Sequence, residues 1–252
     1  ISACLVGSEM CIRDSCDIGG GTSDYAILRL SKDHSLSHDR GADILATGGV
    51  YKAGESFNSQ IVVEHLAERF GKGAKWGYKE HDFPIHWIRS LGNWKTLPFL
   101  QQDNVGSLVA HTEESRQQDV KRLADLVNHN WGYQLYTHVD ASKIELSKQS
   151  ETEINFRAID LAEKLSRDQF ENLISPILEL MEFEIFNTLE RANLKPVDID
   201  KVILTGGSSL TPAVQEQVVN IFGESKIVPI DAFNSVVAGL ALEAEKYAKQ
   251  GK

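Results

Sequence analysis

The sequence predicts an α/β fold, and three stretches carry the prediction. From Ser23 to Leu30, "SDYAILRL" sets Tyr25, Ile27 and Arg29 on one face and Ala26, Leu28 and Leu30 on the other, the period of two expected of a strand. "DKVILTGGSSLTPAVQEQVVNIFG" (Asp200 to Gly223) reads as an apolar strand, a Gly-Gly turn and a helix. "SRDQFENL" opens a long run in which Phe170, Leu173, Ile177, Met181, Ile185 and Leu189 recur at helical spacing. With 252 residues, 42% hydrophobic and 25% charged, the chain suffices for one large or two modest globular domains.

The elements follow in order. "ISACLVGSEMCIRDS", residues 1–15, resembles a translated adapter tail more than any protein family, and is set aside as non-native; the competing reading is a first strand at "ISACLV". After Ser23–Leu30, "DHSLSHDRG" is a polar loop, and a second strand runs through "ADILATGGV" (Ala42 to Val50). "SQIVVEHLAERF" has the spacing of a helix buried on one face, with Asn58 as its N-cap. Residues 71–132 are the least readable; they hold all four tryptophans (Trp76, Trp87, Trp94, Trp131), read as a small satellite core, and a helical "EESRQQDVKRLADLVNHN". A strand at "ETEINFRA" precedes "SRDQ", a capping box for the long helix, which Pro176 should kink or interrupt. In the last section Thr211 caps a helix with Pro212 in its first turn; a strand "SKIVPI" and a helix "SVVAGLALEAEKYAK" complete the chain.

Composition removes several function classes. The formal charge of -10 disfavours nucleic acid or an anionic membrane as partner, and no basic stripe offsets it. No apolar run reaches the roughly 20 residues that span a bilayer, so a cytoplasmic setting is expected. Cys4, Cys11 and Cys16 are odd in number and lack CxxC spacing, which argues against a disulfide framework or a zinc site. His34 and His38 stand four apart, but their polar setting reads as a solvated loop. Neither G-x-S-x-G nor G-x-x-x-x-G-K-[ST] occurs.

The chemistry-bearing stretch is "DIGGGTSD", Asp17 to Asp24. Three glycines in a tight turn let the backbone approach an anion and adopt positive φ without cost, and successive N–H groups then cradle phosphate. Asp17, at the end of a strand, is placed to hold a hydrated magnesium ion; Thr22 and Asp24 offer a hydroxyl and a carboxylate beside a terminal phosphate. A second turn, Gly206-Gly207, also follows a strand, and two such turns suit a nucleotide clamped at both ends. Each turn alone is equally well read as a plain tight connection.

"DIGGGTSDYAI" resembles the second phosphate motif of the actin-like ATPase superfamily, specifically of DnaK-type, seventy-kilodalton heat-shock chaperones. "ATGGVYKAGESFNSQIV" is similar to that family's Gly-Gly-Glu-Asp-Phe-Asp segment, "DASKIELS" to its adenosine-contacting helix, "RDQFENL" to a helix start, and "VILTGGSSLTPAVQ" to its adenosine motif, all in family order from Asp17 to about Ala248. The resemblance implies ATP or ADP with magnesium as cofactors. It implies that Asp17 binds magnesium through water; that Gly19, Gly20 and Gly21 bind phosphate with Thr22 and Asp24 near the attacking water; and that Gly54 closes on the phosphates. Lys143 and Ser147 would reach the adenosine, Asp140 the ribose, and Gly206, Gly207 and Ser208 its other side. Ile144 and Leu210 stand where the family sandwiches adenine between arginines, so stacking would be aliphatic, and Phe233 falls near a family acid.

The resemblance implies a ribonuclease-H-like, actin-like fold represented by its second lobe alone. A core nucleotide-binding subdomain would comprise residues 16–51 and 173–252, and residues 52–172 an inserted smaller α/β subdomain. The chain resembles short YegD-like members of the family, truncated at the N-terminus, without an apolar linker or peptide-binding domain at its C-terminal end. The expected function is the ATP-binding lobe of a chaperone ATPase, weak or inactive in hydrolysis by itself, whose partners are ATP, the missing first lobe, and protein clients or co-chaperones. The alternatives are a sugar- or acetate-type kinase of the same superfamily, and a non-catalytic scaffold or filament module.

Overall fold

The computed structural model describes residues 11–30, 43–78, 81–103, 105–228 and 244. The polar loop and the final helix expected from the sequence, and Phe233, lie outside them apart from Ala244, which is helical. The chain divides into two compact units, Ile1–Glu55 with Pro176–Lys252, and Ser56–Ser175.

The first unit is built on a five-stranded sheet of β1 (Cys11–Ile18), β2 (Ser23–Leu30), β3 (Ile44–Val50), β8 (Lys201–Thr205) and β9 (Ile227–Val228), in the order β3-β2-β1-β8-β9. β1 lies between an antiparallel neighbour, β2, and a parallel one, β8. A parallel pair needs a long crossover connection, and here the whole inserted unit lies in it. Alternation along the strands buries Cys16, Ile18, Tyr25, Ile27 and Val202. Fully burying apolar side chains of this size contributes about 1.5–3 kcal/mol each.

Cys11–Ser15 belong to this sheet. They fill the first part of its central strand, pairing with Leu30 to Ala26 on one side and, from Arg13, with β8 on the other. Setting residues 1–15 aside on sequence grounds therefore left out the first part of β1. The placement has a physical cost: Asp14 is 2% exposed, its Oδ1 has no hydrogen-bond partner, and burial pushes its carboxyl up to about 7. Cys16, two positions along the same strand, is a buried free thiol.

α6 (Arg167–Arg191) buries Phe170, Ile174, Ile177, Met181, Ile185 and Leu189. Ile174, one position later than expected, takes the inward place assigned to Leu173, since 3.6 residues per turn drift off a strict three-residue step. The helix continues through Pro176 without interruption. Proline cannot donate to the carbonyl four residues back, that of Asn172, and the Ser175 hydroxyl donates to it instead at 3.0 Å. The capping box is present at the start: Ser166 Oγ accepts from the Gln169 N–H at 3.2 Å, and Gln169 Oε1 accepts from the Ser166 N–H at 3.0 Å. α7 (Pro212–Phe222) starts after Thr211, whose side chain makes no capping hydrogen bond; proline at the first position leaves one fewer donor to satisfy.

The second unit has short elements over residues 61–116: a π turn Ile61–His65, a 3₁₀ turn Ala67–Phe70, a hairpin of β4 (Lys75–Trp76) and β5 (His81–Asp82), α2 (Ile85–Ser90) and α3 (Val105–Ala110). Then come α4 (Gln117–Asn128), α5 (Gly132–Leu146) and a hairpin of β6 (Glu151–Phe156) and β7 (Leu161–Ser166). The tryptophans do not form one cluster. Trp87 is buried, Trp94 meets Tyr133 edge-on at 5.3 Å, and Trp131 lies between His129 and Phe156.

Candidate functional site

The first hairpin brings together the two acids that the glycines separate in sequence. β1 and β2 pair to the end, so Asp17 stands opposite Asp24 on one sheet face, and the turn closes with the Gly19 N–H donating to Thr22 O at 3.0 Å. Directly opposed like charges disfavour the hairpin, by about 0.2–1 kcal/mol on the usual cross-strand scale. Thr22 Oγ1 donates to Asp24 Oδ2 at 2.8 Å. Asp17, Thr22, Asp24, Gly48, Gly49 and Tyr51 line a cavity of about 490 Å³.

The glycine triplet does not need its conformational freedom. The positive-φ glycines among the described residues are Gly71, Gly73, Gly77, Gly206 and Gly223, so Gly19, Gly20 and Gly21 use ordinary backbone conformations, contrary to expectation. A Cβ at Gly20 or Gly21 would meet nothing within 4 Å. Neither backbone geometry nor packing explains these glycines. What distinguishes them is an open backbone face: the N–H groups of Gly20 and Gly21 donate to no carbonyl among the described residues.

Gly206 is the opposite case. Its φ is 80°, and a Cβ would collide with the backbone carbonyl of Ile18 and approach Asp17 Oδ1 to 2.7 Å. The two glycine turns adjoin, because β1 and β8 are parallel neighbours and both turns leave their C-terminal ends. Ser208 Oγ donates to Gly19 O at 2.8 Å, and Ser208 is 7% exposed. This edge, where connections leave neighbouring parallel strands in opposite directions, is where open α/β sheets bind ligands.

The segment after β3 is laid against the same turn. Gly54 N–H donates to Gly19 O at 3.3 Å and Glu55 N–H to Gly20 O at 2.6 Å. α1 (Gly54–Gln60) consequently starts five residues earlier than the Asn58 cap predicted, because turn carbonyls rather than a side chain satisfy its first donors. Asn58 lies inside that helix. Its Nδ2 donates to Asp140 Oδ1 at 3.0 Å, and its own Oδ1 is buried without a partner.

Asp140, Lys143 and Ser147 all sit on or directly after α5, in the second unit. Lys143 is 9% exposed, with Nζ 2.7 Å from Asp140 Oδ1. Although burial alone would raise it, hydrogen bonds from Asn58 and Lys143 hold the Asp140 carboxyl below its ordinary value. Ile144 and Leu210, in place of the family's arginines, are both solvent-exposed. Thus the first unit gathers Asp17, Gly19–Asp24, Gly54 and Gly206–Ser208, while α5 carries a separate acid–lysine pair. Sequence reasoning missed Gly48 and Gly49, whose signal was two consecutive glycines at the end of an edge strand.

A mixed sheet of this order, with glycine turns leaving its central parallel strands and a large insertion after the third strand, defines part of an actin-like ATPase fold. A sequence model of the Hsp70 protein family matches residues 102–250, more than half of the chain. The chain belongs to that family. It is 27% identical over 236 residues to the chaperone protein DnaK of Thermosipho melanesiensis, covering 90% of this chain and 30% of the relative. It is 28% identical over 238 residues to DnaK of Thermus thermophilus, with 90% and 30% covered, and 26% identical over 245 residues to that of Cyanidioschyzon merolae, with 94% and 31% covered. The chain therefore spans about 30% of the length of these relatives. Their names do not favour a small-molecule kinase.

Proposed function

We propose that the chain is the ATP-binding second lobe of a DnaK-like chaperone ATPase. The observation that carries the reading is the glycine triplet. Gly20 and Gly21 leave space that a Cβ would fill, with no structural demand for glycine, beside an opposed pair of acids. A triphosphate at this turn would find the Gly20 and Gly21 N–H groups, which donate to no carbonyl among the described residues, with the Thr22 hydroxyl and the Asp24 carboxylate in the same turn and the Gly54 N–H bonded to Gly19 O. Magnesium fits Asp17. This ion keeps most of its waters and takes one or two carboxylates plus phosphate oxygens, so the lack of any group of three ligand side chains among the described residues is no obstacle.

When bound, magnesium would neutralise phosphate charge. The first unit's own residues would orient the phosphates and hold a polar pair, Thr22 and Asp24, at their end. Phosphoryl chemistry depends mainly on positioning and electrostatics, so a single lobe is expected to bind better than it hydrolyses. Protein clients, co-chaperones and a cytoplasmic setting belong to the same proposal, as does a first lobe that completes the site. Among the described residues no helix is long and apolar enough to cross a membrane.

The test is calorimetric titration of the chain with Mg·ATP and Mg·ADP, beside a Gly20→Val variant. Binding abolished by the valine supports the reading. Equal binding by both proteins, or by neither, rejects the triplet of this chain as a phosphate cradle.

A further inference from the structure

The segment from Thr47 to Glu55 is pinned at three points. Its far end donates from Gly54 and Glu55 to the carbonyls of Gly19 and Gly20, and its middle is held by Ser23 Oγ, which donates to Lys52 O at 2.7 Å. Its near end is gripped by the last turns of α6. Arg191 donates from Nη1 to Thr47 O at 2.8 Å and from Nη2 to Glu184 Oε1 at 2.7 Å. The Asn187 amide also donates to Glu184 Oε2 at 3.2 Å; burial would raise this carboxyl, but Arg191, Asn187 and the Gly49 backbone beside it hold it below its ordinary value. Gly48 is the gap that admits this pair: a Cβ there would come within 2.6 Å of Glu184 Oε1 and 2.8 Å of Arg191 Nη1.

Gly49 in turn touches the acid of the candidate site. It is the cross-strand partner of Asp24, and so close that its Cβ would stand 2.9 Å from Asp24 Oδ1. A shift of Gly49 therefore changes the space open to that carboxylate.

We propose that Glu184 and Arg191 are positioning residues for the phosphate site: through Gly48 and Gly49 they seat the end of β3 against Asp24, and so fix Asp24 and Thr22 beside a terminal phosphate. The proposal rests on the phosphate reading for its ligand and on the α6–β3 geometry for its mechanism. Neither residue reaches the turn itself. Their effect falls on the group beside the last phosphate and spares contacts to the inner phosphates and the nucleoside.

The test uses the 252-residue chain and its Glu184→Ala, Glu184→Gln, Arg191→Met and Arg191→Lys variants. Each is titrated with Mg·ATP and Mg·ADP by calorimetry, and amide hydrogen exchange at Gly49 is measured on the same samples. Glu184→Ala and Arg191→Met are expected to weaken ATP roughly tenfold and ADP less than about twofold, the size of one lost charge-assisted hydrogen bond, and to speed Gly49 exchange. Glu184→Gln keeps an acceptor for Arg191 beside Gly48, and Arg191→Lys a donor for Thr47, so both recover part of the ATP preference. Equal loss of both nucleotides, as a general loosening of the fold would give, overturns the proposal. If the wild-type chain binds neither nucleotide, the phosphate reading fails by itself, and Gly49 exchange decides the clamp: faster exchange in Glu184→Ala upholds it, unchanged exchange overturns it.

Discussion

Asp17 and Asp24 are cross-strand partners at the turn end of the first hairpin, with no basic side chain paired to either among the described residues. Two acids held opposite each other store a repulsion that a divalent cation would relieve. Asp17→Asn is accordingly expected to raise the stability of the metal-free chain by up to about 1 kcal/mol. It should also remove the part of ATP affinity that depends on magnesium. Urea unfolding with and without magnesium, followed by ATP titration in the presence of a chelator, measures both. A metal-free stability that falls on substitution would contradict the repulsion.

The two glycine turns make a paired prediction. Gly20→Ala has open space and an ordinary backbone, so its stability should stay within about 0.5 kcal/mol of wild type, or improve slightly as glycine-to-alanine changes do at compatible sites, while nucleotide binding suffers. Gly206→Ala puts a Cβ against the Ile18 carbonyl at positive φ, and should cost more than about 3 kcal/mol. Denaturation midpoints of the two variants separate a glycine kept for a ligand from one kept for the fold. Similar losses in both would show that the triplet is structural after all.

Asp14 predicts an unusual pH dependence. Its folded carboxyl titrates near 7, chiefly because burial penalises the charge, against an ordinary value of 3.8. The folded state thus binds this proton more tightly than the unfolded one. The penalty is absent below the unfolded value, grows as pH rises, and is fully felt above about 7. Asp14→Val should stabilise the chain more at pH 8 than at pH 5, with a difference on the order of 2 kcal/mol. Unfolding of wild type and variant at both pH values isolates this group from the other carboxylates. An equal gain at the two values would mean that Asp14 titrates alike in the folded and unfolded chain.

The start of α6 offers a prediction confined to the second unit. Ser166 and Gln169 satisfy each other's backbone donors, so Ser166→Ala should cost about 1 kcal/mol, and Gln169→Ala less, since the serine bond survives it. Hydrogen exchange at the Gln169 amide would follow the loss. No change in that exchange on Ser166→Ala would remove the box as a source of stability.

Much of this was legible in sequence. Period-two alternation located Ser23–Leu30 to the residue, because alternation reports which side chains a pleated strand turns inward. The capping box was readable for a similar reason: both partners lie within three positions. The glycine turns were visible too. Local chemistry signals local structure.

What escaped depended on neighbours distant in the chain. Whether a glycine is needed by its own backbone or by something approaching it cannot be read from the letter G: Gly20 and Gly206 look alike in sequence, and only packing separates them. Cys11–Ser15 have no alternation suited to a central strand, and their place comes from β2 and β8 on either side. Asn58 looked like a cap until carbonyls from the first hairpin took that duty, and Glu184 and Arg191 look like an ordinary charged helix end. The sequence by itself determined most of the elements, the fold class and the position of the glycine turns, since these follow from side-chain periodicity and short-range hydrogen bonding. Tertiary structure alone decided which strand lies central, which glycines are open and which charges grip the end of β3, since each depends on contacts between residues far apart in the chain.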